Sequence, residues 1–207
     1  MSFRNSARRL PLPIRFPVPE ELPVPRQGEW TYADYCRLPD DGRRYEVLRG
    51  ELHVAPAPSL LHQGVLRNFA LALGRFLETR PLGRFFFSPV DVILPGGLAS
   101  PVQPDLAFVS HERAHLLKGN FIEGSPDLVV EVLSPSNRQV DRKTKFEIYA
   151  KAGVPEYWMF DPAPRTIEVF GLRDGRYVLL GKVGPGERAR SAVLPGFEPA
   201  VDEVFSE

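Results

Sequence analysis

One cysteine, no net charge and no long apolar run: these shortages already restrict what the chain can be. The single cysteine, Cys36, excludes an intrachain disulfide and fits a reducing compartment. In its helix-like surroundings, residues 32–38, it reads as a buried structural thiol rather than a nucleophile. Lysine plus arginine number 26 and aspartate plus glutamate also 26. The chain therefore lacks the global positive charge of many nucleic-acid binders, and an anionic partner would have to be held by a local patch. No apolar stretch approaches the roughly 20 residues needed to span a bilayer. The N-terminal arginines are not followed by the apolar core of a secretion signal. The expectation is a soluble, cytoplasmic protein with no membrane partner.

The 207 residues, 43% of them hydrophobic, suffice for one domain with a real core. Six prolines between Pro11 and Pro25 keep residues 1–30 out of interior helix or strand. That segment is expected to be an extended arm whose arginines are solvated, ahead of a single domain over 31–207. Within the domain, a short helix over 32–38 and a hairpin over 45–54, turning at Gly50, come first. Leu61, Val65, Phe69, Ala72, Leu73 and Phe76 then recur at helical spacing and predict a long helix over 59–79 with one apolar face. Strands are expected over 85–94, with a polar interruption at Ser88 and Pro89, and over 104–109 and 128–133. A basic helix over 141–152, stopped by Gly153 and Pro155, comes next. The tail, 157–160, 166–171 and 177–182, reads as an antiparallel meander finishing near Phe205. This order predicts a mixed α/β (α+β) domain: a central mixed sheet flanked by helices, with extra antiparallel C-terminal strands.

The run LVVEVL, residues 128–133, carries Glu131 inside an otherwise apolar, β-branched strand. A charge there costs several kcal/mol unless it is paired or binds a metal. Asp105, after Pro104, opens the neighbouring apolar strand. If the two strands are adjacent, both carboxylates can project from one sheet face, where they would repel unless one is protonated or a divalent cation lies between them. Oxygen ligands favour magnesium or manganese. The plain alternative is two unrelated strand ends facing solvent. Lys145 sits at the edge of the inward face of the basic helix formed by Phe146 and Tyr149. Lys143 points about 160° away from it. The competing reading of Lys145 is a surface pair with Asp141. Asp127, also after a proline, has no acid-x-lysine after it and reads as a decoy. Asp91 could join the acids. Tyr157 and Trp158 read as core and sheet residues rather than a base-stacking platform.

Pro104-Asp105 followed by Glu131 resembles the PD-(D/E)XK nuclease pattern. The string PDLVVEVLSPSNRQVDRKTKFEIYAKAGVPEYWMFDP, with YEVLRGEL and VQPDLAFV upstream, closely resembles the Uma-two family of endonucleases in that superfamily. The likeness covers about residues 31–205. It implies a restriction-endonuclease-like core and a Mg2+ (or Mn2+)-dependent hydrolysis of nucleic-acid phosphodiesters. The partner implied is nucleic acid, double-stranded DNA foremost, and the working form a homodimer. Carried over by position, Asp105 and Glu131 would hold the metal with the Val132 carbonyl. Lys145 would replace the lysine normally two residues after the acid, where this chain has Leu133. Glu46, in YEVLRGEL, matches a recurrent acid that supports the metal or its water, or else is a strand-edge charge opposite Arg44 or Arg49. His62 matches a recurrent histidine and reads as a hydrogen-bonding support.

Between Arg138 and Lys151 five basic residues face two acidic ones, a local excess that could hold a phosphate backbone without reading sequence. Two other classes compete with the nuclease. One is a binding module that keeps the fold but does not cut. The other is a two-carboxylate glycosidase, which would need an aromatic-rich sugar cleft that the sequence does not display. Metal dependence separates them.

Overall fold

The computed structural model describes residues 24–97, 99–135 and 137–206. Most of the expected arm, residues 1–23, lies outside them. Its last part is ordered on the hairpin β1 (Arg44–Leu48) and β2 (Glu51–Ala55). The Gly28 and Trp30 amides both donate to the Gly50 carbonyl, and Gln27 bonds the Leu52 backbone. Gly50 takes a positive φ of 77° at the hairpin turn. A side chain there would collide with the Gly28 backbone, so the turn and the incoming chain both require glycine.

Before the hairpin comes α1, Tyr32–Tyr35, capped by Thr31. It is one turn long and buries none of its residues, which leaves Cys36 exposed rather than in the core. After the hairpin, Ser59 caps α2, Leu60–Thr79, its Oγ accepting from the His62 amide. Val65, Phe69 and Leu73 make the buried stripe. Leu61, expected on that stripe, is exposed, while its neighbour His62 is the buried residue of the first turn.

The main sheet has six strands, β3 (Gly83–Phe87), β5 (Leu106–Ser110), β8 (Leu128–Val132), β9 (Glu156–Asp161), β10 (Thr166–Arg173) and β11 (Arg176–Val183). Across the sheet they stand in the order β11-β10-β9-β8-β5-β3. All neighbours are antiparallel except β8 and β9. The strand expected over 85–94 is broken: β3 stays in this sheet, and β4 (Asp91–Ile93) leaves it to form a three-stranded sheet with β6 (Leu117–Lys118) and β7 (Phe121–Glu123). Pro89 has no N–H for the ladder, so the chain changes sheets there.

Alternation along the strands sorts the core into two faces. Leu106, Phe108, Leu128, Val130, Trp158 and Phe160 meet the α2 stripe on one side, with Phe69 edge-on to Phe160 at 4.9 Å between ring centres. Ala107, Val109, Val129, Leu133, Tyr157 and Met159 meet Ile148 and Tyr149 on the other. Each fully buried aromatic or aliphatic side chain contributes about 1.5–3 kcal/mol, so these layers fix the sheet between its helices. The helix on the second side is α3, Phe146–Ala152, entered through a π-helical stretch, Val140–Lys145, and ended by Gly153 in the left-handed conformation. The strands of the tail end at Val183. The remainder folds back over the α2 face, where Leu194, Phe197 and α4, Val201–Val204, complete that core. Tyr157 and Trp158 are core residues, as read. No helix among the described residues is long and apolar enough to cross a membrane.

Candidate active site

Strand β5 lies antiparallel beside β8, with Leu106 opposite Val130. One step further along the same register, Asp105 falls opposite Glu131. Glu131 shares its face with Val129 and Leu133, the face covered by α3. The two sequence-predicted acids therefore occupy neighbouring strands at one end of the ladder. The Asp105 carboxylate is reached from two directions. Its Oδ2 accepts from the Val132 amide at 2.8 Å and from His62 Nε2 on α2 at 2.9 Å. A carboxylate only accepts, so the Nε2 position of His62 carries the proton. Arg44 Nη1 approaches Asp105 Oδ1 at 3.7 Å.

Lys145 fills the space on the α3 side of these acids. Its Nζ lies 3.0 Å from Glu131 Oε1, 3.0 Å from Glu46 Oε1 and 3.7 Å from Asp141 Oδ1. Glu46 comes from β1, and the Gln103 amide also donates to its Oε1 at 2.6 Å. Tyr149 donates to Glu131 Oε1 at 2.8 Å. Lys143 is exposed, so of the two lysines Lys145 is the one brought to the acids. The π-helical entry explains how. In an α-helix, positions four apart overshoot a full turn by about 40°. The wider π turn falls short of one, and the two drifts oppose. Asp141, Lys145 and Tyr149 thus all face the sheet. The surface pair of Lys145 with Asp141 exists as a spacing, but both side chains are buried.

The electrostatics follow from four carboxylates around one lysine. Burial disfavours the charged form of Lys145, but Glu131, Glu46, Asp141 and Asp105 outweigh it and hold the ammonium well above its ordinary range. Burial raises the Glu131 carboxyl well above its usual value. Lys145 opposes that rise, and Asp141, Asp105 and Glu46 add to it. Burial likewise pushes Asp141 up to about 7, against the pull of Lys145. Asp105 goes the other way. Burial works against its ionisation, yet the His62 hydrogen bond, the charges of His62 and Lys145 and the Val132 N–H hold it below the ordinary carboxylate range. One acid firmly ionised beside others that resist ionisation is the signature of a site with surplus negative charge.

That surplus, and donors that are all carboxylate oxygen, fit a hard divalent cation. Among the described residues no three His, Cys, Asp or Glu side chains stand as a ready-made metal cage; the carboxylates are gathered around Lys145. Asp105 also lines an open cleft of about 760 Å³, while Glu131 and Lys145 are buried, at 2% and 4% exposure, and do not line it.

Several residues read from the sequence stand elsewhere. Asp127 accepts from the Ser110 amide and pairs with Arg113, a structural role. Asp91 bonds Tyr35 and the Gln103 side chain, one residue removed from Glu46. The basic excess over 138–151 is not available to a phosphate backbone as expected. Arg138 is bidentate to Asp161, Arg142 binds Glu168, and Lys145 is interior. Sequence reasoning missed Asp141 and Tyr149 as members of the cluster. Their four-residue spacing on either side of Lys145 was the available signal.

A six-stranded mixed sheet with helices on both faces and acids at one end of its inner strands defines a restriction-endonuclease-like fold. The crystal structure of a putative nuclease belonging to DUF820 from Anabaena variabilis ATCC 29413 has the same architecture, with a TM-score of 0.69 at 18% identity over 86% of this chain and 98% of that one. The model of the Uma2 family, described as "Putative restriction endonuclease", matches residues 32–202, and the chain belongs to that family. No curated protein matches the sequence.

Proposed function

We propose that this protein is a metal-dependent nuclease that hydrolyses phosphodiester bonds in nucleic acid, acting on DNA as an endonuclease. Family membership supports the reaction class. The observation that carries the reading to residues is the convergence of Glu131, Glu46 and Asp141 on Lys145, with Asp105 beside them on an open cleft. Asp105 and Glu131 would hold Mg2+ or Mn2+, with the Val132 carbonyl as a further ligand and Glu46 beside them. A cation bound there would lower the pKa of its water and polarise a phosphate oxygen.

The chain's own residues have separable tasks. His62 and the Val132 N–H fix the Asp105 carboxylate and keep it ionised. Tyr149 fixes Glu131. Lys145, its ammonium form favoured by the acids around it, would orient the attacking water or stabilise negative charge gathering on the phosphate. Asp141 and Glu46 hold that ammonium in place.

Nicking of supercoiled plasmid with magnesium or manganese, parent beside Glu131→Gln and with EDTA as control, tests the reading. Metal-dependent nicking by the parent and none by the variant is expected. Nicking that survives in Glu131→Gln would assign the activity to another site. No cleavage of DNA or RNA by the parent with either metal would leave a binding module on the same fold.

A further inference from the structure

The cleft beside Asp105 is more than an entrance. It runs between α2 and the edge strand β3, and its two ends differ in chemistry. At the inner end, Arg44 Nε, His62 Nδ1 and Ser88 Oγ are buried without a hydrogen-bond partner among the described residues. All three residues line the cleft together with Asp105. Buried polar atoms are normally satisfied by protein, water or ligand, so three atoms without a protein partner at one place leave hydrogen-bonding capacity for a polar group that enters the cleft. His62 is itself only 8% exposed.

The walls are apolar and partly open. Phe87 is 47% exposed and Leu71 52%, on opposite sides of the cleft, and Phe85 stands edge-on to Phe87 at 5.6 Å. On the rim Arg67 bonds only the neutral Asn68 oxygen and makes no ion pair among the described residues. An aromatic wall, a floor of unmatched donors and acceptors, and an unneutralised guanidinium at the mouth form one combination. It matches a flat heteroaromatic ring joined to a phosphate.

We infer that this cleft takes an unpaired nucleotide adjoining the phosphate at Asp105, its base against Phe87 and its edge on Arg44, His62 and Ser88. The inference rests on the nuclease reading and narrows its substrate. A perfectly paired duplex presents phosphates and base edges but no base faces, so it has nothing to lay against Phe87. A single strand, or a duplex with an unpaired stretch, does. The volume, about 760 Å³, lies within the range of about 300–1,000 Å³ that encloses small ligands. Bases stack on aromatic side chains whatever their sequence, so the cleft selects structure rather than sequence.

Binding, not cutting, tests this. Fluorescence anisotropy in EDTA would compare a short labelled single strand, its perfect duplex and the same duplex with a central unpaired bubble. The strand and the bubble should bind about tenfold or more tightly than the perfect duplex, and Phe87→Ala should remove about that factor while Phe87→Trp keeps it. Arg67→Ala should weaken all three substrates together, as expected for a phosphate contact. Phe87 and Arg67 are both exposed, and thermal melts would verify that both variants fold. Equal affinity for paired and unpaired substrates overturns the inference, as does unchanged binding by Phe87→Ala. So does a self-associated parent that Phe87→Ala converts to monomer without any nucleic acid bound, since the cleft would then be a contact between copies. Selective binding without plasmid cleavage would overturn the hydrolytic reading and leave the cleft assignment standing. Cleavage of perfect duplex without preference for unpaired strands would do the reverse.

Discussion

Lys145 Nζ and Glu131 Oε1 meet at 3.0 Å with both side chains closed off from solvent. A charge pair in that position is not a simple gain in stability. Two ions lose their hydration, and their attraction and hydrogen bonds must offset the loss. What the pair does is make each partner depend on the other.

Removing the cation alone should therefore be far worse than removing it together with an acid. Lys145→Met should lower stability by about 3–5 kcal/mol, because Glu131 and Glu46 are left buried without their cation. Adding Glu131→Gln to it should recover a large part of that loss. Urea unfolding of the parent, the two single variants and the double variant gives the coupling directly. Additive losses would mean that the pair is not held as described.

Stability without metal should fall as pH rises across neutrality. Burial raises the Asp141 carboxyl to about 7, with Asp105 and Glu46 adding to the rise and Lys145 opposing it. In the unfolded chain the same group titrates near 3.8. Between those values the folded form binds the proton and the unfolded form does not, so folding is favoured at the acid end. Glu131 is raised too and acts in the same direction. Asp105, held low, contributes stability that is lost only at strongly acid pH, outside this window. In EDTA, the melting temperature should be higher at pH 5.5 than at pH 8 by several degrees, a rough figure for a domain of this size. Asp141→Asn should flatten the profile. A melting temperature that rises with pH in the parent would contradict this account.

Glu156 should matter to the fold and not to the site. Fully buried, it accepts from the Trp158 indole, the Ser191 hydroxyl and the Ala192 and Val193 amides. It thereby fastens the returning C-terminal segment to β9. Glu156→Ala leaves those donors unsatisfied and should cost about 3 kcal/mol or more. Guanidinium unfolding measures the loss. At a temperature where the variant is folded, its metal affinity by isothermal titration should match the parent's; a changed affinity would place Glu156 in communication with the acids.

How much of this was legible depends on whether the signal was local. Glu131 stood out because a carboxylate inside LVVEVL needs a reason, and Asp105 because it opens the next apolar strand. Lys145 was favoured by its place beside Phe146 and Tyr149. The structure brings all three together. What failed was information that crosses the chain. Arg138 and Arg142 looked like a phosphate patch because Asp161 and Glu168, their partners, lie some twenty-odd residues further on. Asp141 looked like a surface partner because a regular α-helix was assumed, and the π-helical turn at Val140–Lys145 carries no obvious composition cue. The residue type of Cys36 points to a core, but the helix beside it is one turn long and buries none of its residues.

The parallel pairing of β8 with β9 has a consequence for how the protein is made. Strands running the same way cannot be joined by a tight turn, so the chain between them must travel back across the sheet. Here that return carries Asp141, Lys145 and Tyr149. Glu46 leaves the ribosome early, Asp105 much later and Lys145 later still, and β8 is flanked on both sides only after β9 has emerged. Every acid of the cluster precedes Lys145 in the chain, so the ammonium that gathers them is the last of its charged members to be made.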